Sequence, residues 1–203
     1  MKAQRRYLDD TQHSWLRQWW QALQPREEGA TAKLPGELLG LGRGDRARLK
    51  RCSGLDDLLL ESATHRLAGR LMTLEAGKQW PRFNSADYAP LALLAGALAH
   101  VLEDSGDGAS LAARLGDAKP GEPALMSELR FRRLQQTRSA DDFYRQLVRA
   151  LQQAKRRVDL AALAEDVLAW SLEQGHARVT PSDGLKFRWA RDYYLSAPER
   201  ATN

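Results

Sequence analysis

Apolar residues recur at intervals of three or four positions along most of this chain, which is the spacing of one face of a helix. No segment alternates convincingly between apolar and polar residues, as a half-buried strand would. The first apolar stripe is rich in tryptophan and stops at Pro25, where a helix cannot continue. Its members are Trp15, Leu16, Trp19, Trp20 and Leu23. The pattern predicts an amphipathic first helix whose aromatic face packs against a core.

The middle of the chain is predicted to contain a long loop and three helices. The segment 25–44 is rich in Gly and Pro and only weakly periodic, as a loop would be. Asp45 is placed to cap a short basic helix that stops before Gly54. One helix is then expected over 55–74. The Ala- and Leu-rich segment near 88–103 is apolar nearly all round, which is typical of a helix at the centre of a bundle.

Three further helices are predicted in the last third of the chain. Ser139 begins a capping-box pattern in which Asp142 replaces the usual Glu. Asp159 is placed to cap the next helix, which ends at Gly175, and a turn at 181–184 introduces the last one. The buried face after Ser139 is predicted to consist of Phe143, Leu147, Ala150, Leu151 and Ala154.

Residues 104–123 include four Gly and two Pro, a composition that is typical of a linker. We therefore predict an all-α fold of two helical subdomains, or bundles, joined by a linker that contains Gly and Pro. The predicted N-terminal subdomain covers 1–106 and includes a basic segment at 43–51. The predicted linker covers 107–123, and the C-terminal helical bundle covers 124–203.

The composition of the 203 residues, 43% hydrophobic and 28% charged, is that of a soluble globular protein. The longest apolar run, 89–102, is too short to cross a bilayer and contains His100, so no membrane partner is expected. The N-terminal residues lack the apolar stretch of a secretory signal. The single cysteine, Cys52, excludes an intrachain disulfide and fits a reducing cytoplasm, which is the expected location.

Positive charge is concentrated in two short segments. The segment 130–157 holds nine Lys or Arg residues against Asp141 and Asp142, in a chain whose net charge is +5. The segment 43–51 holds five Lys or Arg residues against Asp45. The rest of the chain is therefore acidic, and so uneven a distribution indicates a polyanionic partner.

No residues form a convincing catalytic or metal-binding pattern. The four histidines are scattered and lack the spacing of metal ligands. The adjacent pairs Asp141–Asp142 and Glu165–Asp166 are expected to serve helix capping or to be solvated, because neighbouring residues on a helix point in different directions. No catalytic residue, metal ligand or cofactor is predicted, and an enzyme is the least favoured class.

The two basic segments favour contact with a nucleic-acid backbone. If Arg43, Arg46 and Lys50 share a helical face, they could follow a phosphate backbone without reading bases, and Arg48 and Arg51 would flank them. In the predicted helix after Ser139, Arg145, Arg149 and Arg156 lie off the apolar face. No base-reading helix-turn-helix or zinc finger is evident. The alternative is a solvated surface that acidic neighbours balance.

Several blocks of the sequence carry a family resemblance. In order, they are SWLRQWWQAL, GDRARLKRC, HRLAGRLM, LRFRRLQQTRSADDFYRQLVRAL and VDLAALAEDVLAW with KFRWARDYY. The ordered set resembles the small subunit of the type I-E CRISPR Cascade surveillance complex, the CasB family. The resemblance runs through most of the chain.

The resemblance implies a non-catalytic, all-helical subunit that acts in antiviral defence and is present in two copies within a guide-RNA ribonucleoprotein. Its expected partners are the other Cascade subunits with guide RNA, the target DNA and a second copy of itself. Basic residues of such subunits help to hold the DNA that the guide opens, notably the displaced strand of the R-loop. The matching positions here are Arg46, Arg48, Lys50, Arg51, Arg130, Arg132, Arg133, Arg138, Arg145 and Arg149.

Two alternatives remain open at the level of sequence. The charge pattern alone also fits a free-standing helical protein that binds single- or double-stranded nucleic acid. A helical protein–protein adaptor would use the face of Trp15, Trp19 and Trp20 to dock a partner.

Overall fold

The structure is a computed structural model that describes residues 7–25, 34–74, 88–118, 122–175 and 180–196. These residues divide into two compact units, an N-terminal unit up to His100 and a C-terminal unit from Val101 onward. Within the described ranges the fold is all-α, as predicted, apart from a sheet of two short strands. No helix in those ranges is long and apolar enough to cross a membrane.

The described residues of the N-terminal unit form five helices and a 3-10 turn at Gly36–Leu38. Its centre is the helix α5, which is buried at every position from Pro90 to His100 and contacts three of the other helices. Leu and Ala occupy most of these positions, so the helix can be covered on all sides, as its apolar pattern predicted. The helices are α1 (Asp10–Ala22), α2 (Arg43–Arg51), α3 (Leu55–Leu60), α4 (Ser62–Leu74) and α5 (Tyr88–His100).

The tryptophan face of α1 lies in the core of the N-terminal unit. Trp15, Trp19 and Trp20 are all buried, and the Trp19 indole Nε1 donates a hydrogen bond of 3.0 Å to the backbone oxygen of Ala63 in α4. The prediction of a core-packing face is therefore confirmed. Because the same face is covered, it is not available to dock a protein partner, and the adaptor alternative loses its basis.

Two details of the N-terminal unit differ from the sequence predictions. Helix α2 begins at Arg43, so Asp45 lies at its third position and not at the cap; its Oδ2 accepts a hydrogen bond of 2.9 Å from the backbone N–H of Gly42. The predicted helix over 55–74 is interrupted at Glu61, whose backbone is extended. The carboxylate of Glu61 instead accepts a hydrogen bond of 3.2 Å from Arg48, a contact between helices that periodicity could not reveal.

In the C-terminal unit the described residues form five helices, a 3-10 turn at Pro181–Asp183 and the sheet. The strands β1 (Glu103–Asp104) and β2 (Arg157–Val158) pair in parallel, with Glu103 opposite Arg157. The helices are α6 (Leu111–Gly116), α7 (Glu128–Gln135), α8 (Ala140–Gln153), α9 (Leu160–Gly175) and α10 (Leu185–Ser196).

Helices α8 and α9 begin where the sequence predicted. The Ser139 side chain accepts a hydrogen bond of 3.3 Å from the backbone N–H of Asp142. Asp159 caps α9 by accepting from the backbone N–H of Ala162 at 2.8 Å. The two helices meet where Phe143 stacks on Trp170, with ring centroids 4.0 Å apart. The predicted apolar face of α8 is buried at all five positions, which are Phe143, Leu147, Ala150, Leu151 and Ala154.

The predicted linker at 107–123 contains an ordered element. The units divide after His100, and residues 111–116 form α6, which packs closely on α10. The Ser110 side chain caps α6 and also donates a hydrogen bond of 2.7 Å to Asp192 of α10. Gly116 makes the close approach possible, because a Cβ there would lie 3.1 Å from the Cα of Tyr193 and collide with its carbonyl oxygen.

The carboxyl groups of Glu165 and Asp166 are buried, so the expectation of capping or solvated side chains is wrong for this pair. Burial raises the pKa of Asp166 to about 7, and the negative charges of Asp192 and Glu165 raise it further. The nearby Trp189 indole and the Arg188 guanidinium act in the opposite direction. Among the described residues, Oδ2 of Asp166 has no hydrogen-bond partner. Packing by α10 explains the burial, which the pattern of α9 alone does not reveal.

Candidate nucleic-acid interface

Two of the four candidate residues on α2 hold the N-terminal unit together. The Nε of Arg46 donates a hydrogen bond of 2.9 Å to the backbone oxygen of Ala99, one of the carbonyls that the last turn of α5 leaves without a helical partner. Arg48 forms ion pairs with Asp45 and, at 3.2 Å, with Glu61. Both guanidinium groups therefore have structural partners within their own unit.

The most open cations of α2 lie at its two ends. Arg51 is exposed, and no described acidic side chain pairs with it. Arg43, which the resemblance does not include among the candidates, is likewise exposed and has no described acidic partner. The fourth candidate, Lys50, is half-buried and has an interaction partner of its own. The charge that α2 offers to a ligand is thus centred on Arg43 and Arg51.

Helix α7 carries three exposed arginines with different surroundings. Arg132 donates a hydrogen bond of 2.6 Å to Oε1 of Glu128, which also accepts one of 2.9 Å from the hydroxyl of Tyr194. The interactions with Tyr194 and Glu128 raise the pKa of Arg132, which therefore stays protonated. Arg130 and Arg133 have no acidic partner among the described residues. Their charge is available to an anionic ligand.

The candidates Arg138, Arg145 and Arg149 lie on or next to α8, and all three are exposed. Nη2 of Arg145 lies 3.9 Å from Oδ1 of Asp142. Arg138 and Arg149 have no described acidic partner. Arg145 and Arg149 are one helical turn apart, where like charges repel each other at a cost of about 0.2–0.5 kcal/mol. Arg138 precedes the N-terminus of α8, where a positive charge opposes the helix dipole. Helix stability therefore does not explain these arginines.

Helices α7 and α8 are sequential and pack against each other. The short turn between them is fixed by Thr137, whose buried hydroxyl donates a hydrogen bond of 2.8 Å to the backbone oxygen of Leu134. This pair of helices and its turn carry four exposed arginines without described acidic partners, and together we call them the α7–α8 basic surface. Its members are Arg130, Arg133, Arg138 and Arg149.

Two other cationic features lie outside the positions that the resemblance marks. Lys155 and Arg156 follow α8 in the left-handed backbone region, with φ values of 54° and 58°. Arg156 therefore lies beyond the helix to which the sequence assigned it. The turn that they form leads into β2, and the backbone oxygen of Arg156 accepts a hydrogen bond of 2.8 Å from Leu102. Lys186 is exposed at the beginning of α10, beside the exposed ring of Phe187. The signal available in the sequence was Lys186 next to Phe187, an aromatic residue that does not belong to the buried face of the helix.

The histidines that the structure describes, and Cys52, are dispersed along the chain. No group of three or more His, Cys, Asp or Glu side chains there could hold a metal ion. His13 and His100 are buried and lie far apart in the chain. His65 is exposed, and His176 lies outside the described residues. Burial, followed by the charges of Glu61 and Asp57, raises the pKa of the Cys52 thiol and disfavours the thiolate.

The comparisons with known proteins identify the family. The model of the CRISPR-associated protein Cse2 family matches residues 45–194, which is most of the chain. The chain belongs to the Cse2 family. No curated protein and no solved structure shows significant similarity to it. The match confirms the resemblance to the small subunit of the type I-E Cascade complex.

Membership of the Cse2 family gives the basic surfaces a context. Cse2 proteins are structural subunits of CRISPR Cascade, so this chain is a Cascade subunit whose partners include other subunits of that complex. The matched region begins within α2 and ends within α10. It therefore contains the whole α7–α8 basic surface, together with Arg51 at the end of α2.

Proposed function

We propose that this Cse2-family chain stabilises the R-loop of its Cascade complex by binding the phosphate backbone of the displaced DNA strand through the α7–α8 basic surface. The single observation that supports this most is the exposure of Arg130, Arg133, Arg138 and Arg149 without described acidic partners. We further propose guide RNA, target DNA and a second copy of the chain as partners, and the cytoplasm as the place of action.

The proposal separates two kinds of arginine that sequence alone cannot distinguish. A guanidinium that already binds a carboxylate, as Arg48 does, must lose that partner before it can bind a phosphate strongly. An exposed guanidinium without such a partner breaks no ion pair when it binds a phosphate. Its binding releases condensed counterions from the DNA. Arg149 and Arg133 are of this second kind, so we expect them to contribute more to DNA binding than Arg46, Arg48 or Arg132.

Backbone contacts suit a subunit that must serve many guide sequences. Phosphate contacts carry no sequence information, whereas contacts with base edges would restrict the targets. Exchanging a DNA duplex for an RNA–DNA heteroduplex is nearly balanced in energy, so modest capture of the released strand can favour the open state. On a single strand, four phosphate contacts would give a log–log salt dependence with a slope of about −2.8.

The test compares two double variants in the assembled complex. Arg133→Ala/Arg149→Ala removes two cations without described acidic partners. Arg157→Ala/Arg191→Ala removes two exposed cations of the same unit that pair with Glu103 at 2.9 Å and Asp192 at 2.6 Å. Both variants change the net charge equally. The measurement is the dissociation rate of the complex from a matched target DNA, taken over a series of salt concentrations.

We expect the first variant to release target DNA about tenfold faster at physiological salt, equivalent to about 1.4 kcal/mol. Its salt slope should be less steep by about 1.4, because two phosphate contacts are lost. The control variant should resemble the unaltered chain. Equal effects of the two variants, or no effect of either, would contradict the proposed role of the α7–α8 basic surface.

A further inference from the structure

Helices α7 and α10 lie side by side in opposite directions, and hydrogen bonds tie them together near both ends. At one end, Nε2 of Gln135 donates to the backbone oxygen of Lys186 at 3.0 Å. At the other end, the hydroxyl of Tyr194 donates to Glu128 at 2.9 Å. Between these points the ring of Phe131 stacks on that of Tyr193, with centroids 4.1 Å apart. The outward sides of the two helices therefore form one surface, which we call the α7–α10 face.

This face exposes two aromatic side chains of α10. Phe187 is 49% exposed, although Phe131 and Phe143 in the same unit are fully buried. Among the described residues, Phe187 takes part in no ring contact. Single exposed apolar residues are common on protein surfaces and need no explanation. Here, however, Tyr194 lies two helical turns from Phe187 on the same side of α10, and it is 46% exposed.

The cations around Phe187 favour an anionic ligand. Lys186 precedes it in the chain, and the pairing of Gln135 with Lys186 brings the last turn of α7, which carries Arg133, close to the first turn of α10. Neither Lys186 nor Arg133 has an acidic partner among the described residues. Among the acidic groups around α10, Glu128 binds Arg132 and Asp192 binds Arg191. Glu173 accepts hydrogen bonds of 3.0 and 3.1 Å from the backbone N–H of Leu185, and Asp183 is exposed in the turn before α10. Lys186 thus places a cation directly beside the apolar ring, and it has no acidic partner among the described residues.

A single-stranded nucleic acid matches both properties of this face. Proteins that bind single strands without sequence preference combine cations that follow the phosphates with aromatic rings on which the bases stack. An apolar protein segment would gain little from Lys186 and Arg133, and a duplex hides the faces of its bases. We infer that Phe187 is a stacking platform for an unpaired base, with Tyr194 as a second stacking position about 10 Å along the helix.

This inference rests on the proposed function and extends it from the backbone to the bases. Phosphate contacts alone attract single and double strands alike, whereas stacking on Phe187 is available only to an unpaired base. The α7–α10 face would therefore favour DNA that has already been opened. Because every base has a flat aromatic face, the preference remains independent of sequence.

The test uses the full chain and two fluorescent oligonucleotides of equal length at about 50 mM salt, where phosphate contacts are strong. One is oligothymidylate, and the other has the same phosphates but abasic sugars. Affinity is measured by fluorescence anisotropy for the unaltered chain and for Phe187→Ala, Phe187→Trp and Leu195→Ala. Leu195 is a matched control, because it is an 80% exposed apolar residue of the same helix. Arg133→Ala reports the backbone contact separately.

The unaltered chain should bind oligothymidylate more tightly than the abasic strand, and Phe187→Ala should reduce that affinity about 5- to 10-fold, near the lower end for one base–aromatic stack. The same variant should leave the affinity for the abasic strand unchanged. Phe187→Trp should retain the preference, and so should Leu195→Ala. Arg133→Ala should weaken binding to both strands.

Other results would overturn the inference in distinguishable ways. If the unaltered chain does not distinguish the two strands, no base stacks on it. If Phe187→Ala changes neither affinity while Arg133→Ala lowers both, stacking is wrong but the backbone function stands. If neither variant has an effect, both proposals fail. If Phe187→Ala binds both strands normally but is lost from the assembled complex, the face docks another protein subunit instead.

Discussion

The buried carboxyl of Asp166 should make the stability of the C-terminal unit depend on pH in an unusual direction. Its pKa is raised to about 7 by burial, above the value of 3.8 expected for an exposed Asp. The native state therefore holds one more proton than the unfolded chain between about pH 4 and pH 7. Over that window the contribution of Asp166 to the free energy of unfolding falls as the pH rises, by up to about 1.4 kcal/mol per pH unit. Across the whole window, the contribution of Asp166 to the free energy of unfolding changes by about 4 kcal/mol.

Replacing the carboxyl with an amide removes this proton. Asp166→Asn keeps the size of the side chain and remains neutral at every pH. The variant should therefore gain stability relative to the unaltered chain as the pH rises from 4 to 8. The difference should grow by about 4 kcal/mol at most, and by less if water reaches the ionised carboxylate. Titrating groups that do not interact with Asp166 contribute equally to both proteins and cancel.

Urea unfolding, followed by hydrogen exchange in peptides of α9, measures this difference for the C-terminal unit alone. The control is Ser182→Ala, because Ser182 is exposed in the same C-terminal unit, in the 3-10 turn, and carries no titratable group, so its replacement should give a difference that does not depend on pH. If the curves for Asp166→Asn and the unaltered chain run parallel from pH 4 to 8, the carboxyl does not bind the extra proton, and the argument from its burial is refuted.

Two further predictions concern the backbone. Gly116→Ala should destabilise the C-terminal unit by about 1–3 kcal/mol in urea unfolding, because α6 must move away from Tyr193; Gly69→Ala, with nothing within 4 Å of the added Cβ, should instead stabilise α4 by up to about 1 kcal/mol. Lys155→Gly should raise the melting temperature, because the positive φ costs a non-glycine residue about 1–2 kcal/mol and glycine adopts it without that strain. An unchanged or lower melting temperature would count against strain at that turn.

Most of the helices could be predicted from the sequence because their apolar positions repeat at helical spacing. The buried segment of α5 and the capped start of α8 at Ser139 depend on residues that are near one another in the chain. The exceptions arise from contacts between distant residues. The pairing of β1 with β2 joins positions more than 50 residues apart, and α6 is a helix of six residues whose stability comes from α10.

The candidate site was only partly predictable for the same reason. Composition located the two basic segments, but it could not indicate that Arg46 binds the end of α5 or that Arg48 pairs with Glu61. Nor could it show that Arg133 and Arg149 lack described acidic partners. The number of charges indicates a polyanionic ligand. Which arginines can bind that ligand depends on the partners that each guanidinium already has in the folded protein.

Contact between the α7–α8 basic surface and the displaced strand can be tested directly by site-specific photocrosslinking. A photoreactive amino acid would replace Arg133 or Arg149 in the assembled complex, which is then illuminated with target DNA whose two strands carry different labels. The account predicts crosslinks to the displaced strand that form only with a target matching the guide. Crosslinks to the guide-paired strand alone, or crosslinks that also form with non-target DNA at equal yield, would contradict it.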